Sequence, residues 1–300
     1  MPVSSEYTMH LPASVVIGVS STSEFVIEDR ERLLLGAYLP GVKVTDGIDP
    51  RVNSMVYHIE SKRLGLRQSD DAVEVRDTWN GRFSMDLPHL LYGIARASWL
   101  RKNLFSAHAA CIARSDGLVT LMPGHSGTGK STVTLALAKA YDHRVFSGNT
   151  TLIDVASGRI EAVAGTHTMT LKTDDFQRSG IEASSFYEYG DRTAFQLSPE
   201  YYAQARKLTV GRIALLQLSD TRRMRRSADP ASALHQLYPY LLDTVHQDVI
   251  TSGGSGLYVG PSAPENRLAL LRGLRDALKR VPVRQVMGSS GQVAEELATV

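Results

Sequence analysis

The chain has 300 residues, 43% of them hydrophobic and 21% charged, enough to bury a sizeable core, which excludes a short disulfide-stapled fold, a disordered chain and a fibrous repeat. Its 33 basic and 31 acidic residues leave a formal net charge of +2, too little to suggest a nucleic-acid binder or a polybasic membrane protein. The single cysteine, Cys111, excludes an intramolecular disulfide and a paired-cysteine metal or redox site, and it fits a reducing cytoplasm.

Residues 1 to 84 carry short apolar runs bounded by turn residues, SVVIGV, EFVIED and MVYHIE, which predict the strands of an antiparallel layer. The stretch SDDAVEV alternates polar and apolar residues, and Asn80 with Gly81 predicts a hairpin turn. Asp86 then caps a predicted helix with Pro88 in its first turn, Leu87, Leu91, Ile94 and Ser98 on one face, and Arg101 and Lys102 at its end. At Leu104 the pattern changes. HAACIA and GLVTLM predict two strands joined by the turn RSDG, and a glycine-rich segment leads into the helical pattern STVTLALAKA. Strand, glycine loop and helix in that order form the first half of a parallel α/β unit.

Beyond it, RVFSG predicts a strand, TTLIDVASGRIEAV a hairpin turning at residues 156 to 158, and RIALLQLS an apolar strand after a polar stretch with many tyrosines. PASALHQLYPYLLDTV and ENRLALLRGLRDALKR predict helices, VPVRQVM a strand and GQVAEELA a last helix, while GGSG at 253 to 256 predicts a loop. No apolar stretch approaches the roughly 20 residues of a membrane span, and no basic region precedes the first apolar run, so a chain free of the membrane and resident in the cytoplasm is expected.

The chemistry is concentrated in GHSGTGKS, residues 124 to 131, which match the phosphate-binding pattern G-x-x-x-x-G-K-[ST]. A strand precedes it and a helix follows, so backbone N–H groups and the helix dipole converge on one place. Gly124, Gly127 and Gly129 let the backbone wrap phosphate oxygens, with His125, Ser126 and Thr128 between them. Lys130 is suited to the outer phosphates, Ser131 to Mg²⁺ through its hydroxyl, and Thr132 to the helix start. Nine histidines show no metal-ligand spacing, so no zinc site is expected. The tyrosines of SFYEYG and EYYAQ can stack on an adenine or a substrate ring or pack in a core, and the RRMRR run of residues 222 to 226 reads as a solvated loop or as a receiver for an acidic substrate or leader peptide.

On residues 108 to 140, HAACIARSDGLVTLMPGHSGTGKSTVTLALAKA, the chain resembles the HPr kinase/phosphorylase group of P-loop proteins, relatives of the phosphoenolpyruvate carboxykinase fold. The resemblance extends over residues 104 to 220. It implies an α/β P-loop domain from residue 104, read here over residues 104–300 with a helical C-terminal part; residues 1–103, which have no match in the family, read from their own pattern as a smaller α+β domain. It also implies ATP and Mg²⁺ as cofactors and transfer of the γ-phosphate to a hydroxyl of a peptide or small molecule; some relatives are tailoring kinases in peptide natural-product pathways. His108 matches the family's active-site histidine, and Lys130 and Ser131 its phosphate and metal residues. Some members form hexamers, so a homo-oligomer is an expectation.

The sequence departs from the family where the strand after the loop helix should end in two aspartates, a base and a metal ligand. Gly148 and Asn149 stand there. Glycine takes no proton, and Asn149 offers only a neutral oxygen to the metal. Three readings stay open: a slower kinase; a kinase whose base is His108, His125, Asp174 or Asp175; or a nucleotide-binding regulatory module without turnover. Transition-state charge is expected from Arg206 or Arg212, beside the strand RIALLQLS, and Arg212 is taken as catalytic together with His108, Lys130 and Asn149.

Overall fold

The structure is a computed structural model that describes residues 4–63, 65–69, 71–77, 86–155, 158–241, 248–250, 256–258 and 264–299. The hairpin expected at Asn80 and Gly81 lies outside these residues, as does nearly all of the GGSG segment.

The first layer runs β1 (Ser5–Leu11), β2 (Val15–Ser21), α1 (Asp29–Tyr38), β3 (Lys43–Asp46), β4 (Ser54–Glu60), β5 (Gly65–Gln68), β6 (Ala72–Asp77) and α2 (Asp86–Arg101). Its six strands lie in the order β3-β1-β2-β4-β6-β5. This layer is mixed rather than antiparallel, because β2 pairs parallel with β4 and β4 parallel with β6. A parallel neighbour needs a crossover, and between β2 and β4 the crossover carries α1. EFVIED is correspondingly not a strand. Phe25 and Ile27 bury their side chains without joining a ladder, and a capping box between Glu28 and Glu31 starts α1. The helix expected from Asp86 is present, and Leu87, Leu91, Ile94 and Ser98 all face inward.

The second part continues with β7 (Leu104–Ala113), β8 (Val119–Pro123), α3 (Lys130–Ala140), β9 (Arg144–Ser147), β10 (Thr150–Asp154), β11 (Glu161–Gly165), β12 (Met169–Lys172), α4 (Thr173–Ser179), β13 (Ala183–Tyr189), β14 (Arg192–Leu197) and β15 (Leu208–Leu218). It ends with β16 (Met224–Ala228), α5 (Pro230–Leu241), β17 (Asp248–Ile250), β18 (Gly256–Tyr258), α6 (Pro264–Ala277), β19 (Val283–Gly288) and α7 (Ser290–Ala298). The large sheet is ordered β11-β10-β7-β8-β15-β19-β16, with β9 also against β7. β8, β15 and β19 are parallel neighbours, whereas the strand that follows α3 pairs antiparallel with β7. The parallel unit begun by β8 and α3 is therefore completed by β15, with the polar, tyrosine-rich stretch inserted between. That stretch is itself ordered: β12, β14 and β13 form a separate three-stranded sheet.

The fold is thus mixed α/β with several sheets. One core cluster lies under β7, β8 and β15, with α5 and α6 packed on it, while α3 and α7 cover another group of β7, β8 and β15 side chains. A further cluster joins the first layer to the second part: Leu35, Trp99 and their neighbours pack on Leu152 of β10.

Candidate functional site

The loop leaves β8 at Pro123, and Gly124 N–H donates to the His108 carbonyl at 3.2 Å. Gly127 and Gly129 take φ of +86° and +95°, a region L side chains rarely adopt, so these two turns require glycine. Gly129 has a second reason: a Cβ there would collide with Leu218 at the end of β15. Since β15 runs parallel to β8, its end stands beside the end of β8, where the loop begins. The backbone then enters α3 at Lys130.

Lys130 is only 6% exposed. Its ammonium donates to the Gly124 carbonyl and, at 2.9 Å, to the His125 carbonyl. Burial, assisted by the positive charge of Arg192, lowers its pKa to about 8. Thr128 closes the loop on itself through Oγ1–H to the His125 carbonyl at 3.0 Å. His125 and Ser126 are exposed, and the His125 ring meets Tyr240 of α5 edge-on at 4.7 Å. Ser131 and Thr132 are half-buried at the start of α3. Thr132 borders a cavity of about 430 Å³ between α3 and α4, whose walls include Leu135, Leu171, Ile181, Leu218 and Asp175.

Strand pairing brings three further expected residues to the base of this loop. β7 lies between β8 and β10, so His108 has Gly124 on one side and Thr150 on the other. Gly148 and Asn149 interrupt the run from β9 to β10 beside this point. Asn149 N–H donates to Thr166 Oγ1 at 3.0 Å and its Nδ2 to the Ala37 carbonyl of α1 at 2.9 Å, which leaves its Oδ1 available. Gly148 is crowded: a Cβ would strike the fully buried Met169 side chain, so no carboxylate fits there without repacking. The end of α1 also carries Tyr38, whose ring lies 4.6 Å from that of His89. The first layer thus touches the edge of the site.

Arg212 is not brought to the loop. It sits at the opposite end of the parallel strands, 2% exposed, with Nε–H donating to Thr120 Oγ1 at 3.0 Å and Nη2 to the Leu297 carbonyl of α7. Burial and the neighbouring charges of Arg114 and Arg284 lower its pKa to about 10. It ties β15 to α7. Arg206 is exposed. Asp174 and Asp175 lie in the first turn of α4 without capping it, and Asp175 pairs with Arg178 at 2.7 Å.

The cation that does stand at the loop is Arg192, at the start of β14, which the sequence reading overlooked. Its Nη2 donates to Ser126 Oγ at 2.8 Å. It also influences Tyr38 and Tyr189, countering the burial that raises both phenols, Tyr189 to about 12. Among the described residues neither Lys130 nor Arg192 forms an ion pair with a carboxylate, and no group of three or more His, Cys, Asp or Glu side chains is placed to hold a metal ion. The tyrosines of SFYEYG and EYYAQ pack within the protein: Tyr202 is buried and stacks on His167 at 4.4 Å, and Tyr187 and Tyr189 pack on Leu33, Leu34 and Ala194.

No family model matches the chain, and no curated protein matches it. Among solved structures, the Hpr(Ser) kinase/phosphatase from Coxiella burnetii is similar at 10% identity and a TM-score of 0.30, over 65% of this chain and 91% of that one. The likeness is a weak one at the level of the fold. Among the described residues no helix is long and apolar enough to cross a membrane.

Proposed function

We propose that the protein binds a nucleoside triphosphate on the Gly124–Ser131 loop and transfers its terminal phosphate to a hydroxyl of a peptide or small molecule. The observation that carries this reading is the buried Lys130 ammonium, held on two carbonyls beside a loop that Arg192 also reaches: two cations with no carboxylate partner among the described residues. Such a pair is costly unless an anion joins it, and a polyphosphate seated on the loop's N–H groups is that anion. The helix start and the glycine turns at Gly127 and Gly129 supply those N–H groups.

In this reading Lys130 leaves its two carbonyl acceptors for the outer phosphates, and Ser131 offers a hydroxyl to the metal. The apolar cavity beyond Thr132 receives the nucleoside, with Asp175 at hand for sugar hydroxyls. Mg²⁺ fits as an ion carried largely by the phosphates, because Ser131 and Asn149 Oδ1 are the donors this chain has to offer and no acidic cage stands among the described residues. When bound, it neutralises phosphate charge. His108 orients the acceptor or takes its proton, and Asn149, pinned to α1 through Ala37, fixes the distance between the two parts of the chain. The first layer, residues 1–103, serves as the acceptor side.

A second reading, a nucleotide-dependent regulatory module without turnover, is favoured by Gly148, where neither a carboxylate nor room for one exists. The two readings part in one experiment: transfer of label from γ-labelled ATP with Mg²⁺ into a native cell extract, wild type beside Lys130→Ala. A labelled product seen with wild type alone supports the kinase. Nucleotide binding lost in Lys130→Ala, with no product from either protein across extracts supplemented with candidate hydroxyl acceptors, supports the module.

A further inference from the structure

We infer that Arg192 is a catalytic residue of the proposed transfer, its guanidinium meeting the terminal phosphate of the nucleotide held on the loop and so distinguishing a triphosphate from a diphosphate. This rests on the reading of Gly124–Ser131 as a nucleotide site.

Three observations support it. The first is position: Arg192 reaches the loop from 66 residues away in sequence and bonds Ser126, on the exposed segment of the loop. The second is proximity. Lys130 donates to the Gly124 and His125 carbonyls and Arg192 to Ser126, the next residue, and a lysine in this kind of loop serves the outer phosphates, so the two cations bracket the place where the outermost phosphate belongs. The third is unused capacity. A guanidinium has five N–H donors in a planar fork suited to two phosphate oxygens at once, and among the described residues the side-chain bond to the neutral Ser126 hydroxyl is the one Arg192 makes. A purely structural arginine would be expected to face a carboxylate or a row of carbonyls, as Arg212 faces Leu297. The strand end is held by its own sheet, where Arg192 pairs with Lys172 and Tyr189, so the side chain is not needed to fix the backbone.

In the transfer, the bond between the γ-phosphorus and the β–γ bridging oxygen breaks and a bond to the acceptor oxygen forms. The acceptor's hydroxyl proton passes to His108 or to solvent, and the diphosphate departs with the bridging electrons. Arg192 exchanges no proton. Its charge offsets that of the equatorial oxygens in a loose transition state, where positioning and neutralisation provide most of the catalysis.

The test needs no known acceptor. The full-length protein is titrated calorimetrically with ADP and with a non-hydrolysable ATP analogue, each with Mg²⁺, as wild type, Arg192→Ala, Arg192→Lys and Ser126→Ala. Loss of a charge-assisted bond to the terminal phosphate should weaken the triphosphate analogue roughly 10- to 100-fold in Arg192→Ala and leave ADP within about twofold. Arg192→Lys should fall between, and Ser126→Ala, which removes the tether and keeps the cation, should retain the preference for triphosphate. Equal weakening of both nucleotides in Arg192→Ala, or no change in either, overturns the assignment while leaving the nucleotide site standing. A wild type that binds neither nucleotide overturns the site itself. Thermal melts accompany each variant, and should Arg192→Ala not fold, the ratio measured for Arg192→Lys decides.

Discussion

Lys130 is the residue at which charge, burial and proposed chemistry meet, and its titration can be followed. Its folded pKa of about 8 lies below the ordinary lysine value of 10.5, so the unfolded chain holds this proton more tightly than the folded one. Stability contributed by this group therefore rises as pH rises from about 8 toward 10.5 and is level below that window. A bound polyphosphate reverses the bias by favouring the ammonium. Nucleotide binding just above pH 8 should take up protons, and affinity should decline as pH rises through the folded value; titrations in buffers of different ionisation enthalpy measure the uptake, which Lys130→Met should abolish. Arg212 gives the contrasting case. Arg212→Ala should cost about 1–3 kcal/mol of unfolding free energy, measured by chemical denaturation, because it strips donors from Thr120 and Leu297. Nucleotide affinity should stay at the wild-type value, and a selective loss of affinity would return Arg212 to the site. The contrast shows what a sequence makes legible at this scale. Residues 124 to 132 could be read because local chain order alone assembles such a loop, whereas Arg192 reaches it only through a sheet formed elsewhere. Arg212 belongs to a strand that does end at the loop. What could not be read is which end of that strand lies there, since this depends on its parallel pairing with β8.

Elements were legible where one periodicity dominated. α2, α3, α7 and the strands β7, β8, β15 and β19 follow their apolar spacing directly, since each buries one continuous face. α1 was hidden because Leu33, Leu34 and Leu35 run together and read as no particular period, and the capping box that starts it follows two buried apolar residues that look like a strand. β16 was hidden for the opposite reason. Its RRMRR composition reads as solvent-facing loop or ligand patch, yet Met224–Ala228 pairs with β19 and closes the large sheet at its edge, exposed along most of its length. An open edge is a template for another strand, and arginines there discourage such pairing; Arg225 also forms an ion pair with Glu296 of α7 at 2.8 Å. Replacing Arg225 and Arg226 together with valine should therefore shift the protein toward larger species than wild type in light scattering at equal concentration. An unchanged mass distribution would mean that the charges on this strand have another purpose.

At the scale of the whole molecule, the expected boundary at residue 103 meets a core that extends across it. Leu152 of β10 is fully buried among Leu35, Leu91, Trp99 and their neighbours of the first layer, and Leu104, Val163 and Ala164 pack against the same cluster. Trp99 Nε1–H further donates to the Pro12 carbonyl at 3.1 Å, fixing α2 on the first sheet, while Asn149 Nδ2 reaches the end of α1. Two parts joined in this way should lose their structure together rather than in turn, because unfolding the first layer would strand apolar side chains of the second in water. Of the chain's two tryptophans, Trp79 and Trp99, Trp99 lies in α2 within this shared cluster, so its fluorescence follows the loss of the first layer's packing. Leu152→Ala lies in the second part, and the cavity it leaves should cost about 2–5 kcal/mol. If the layers unfold as one, this substitution lowers the fluorescence midpoint and the calorimetric midpoint equally. If each part is stable by itself, the fluorescence transition separates from the calorimetric one, and residues 1–103 must then be regarded as a domain that merely rests on the loop-bearing part.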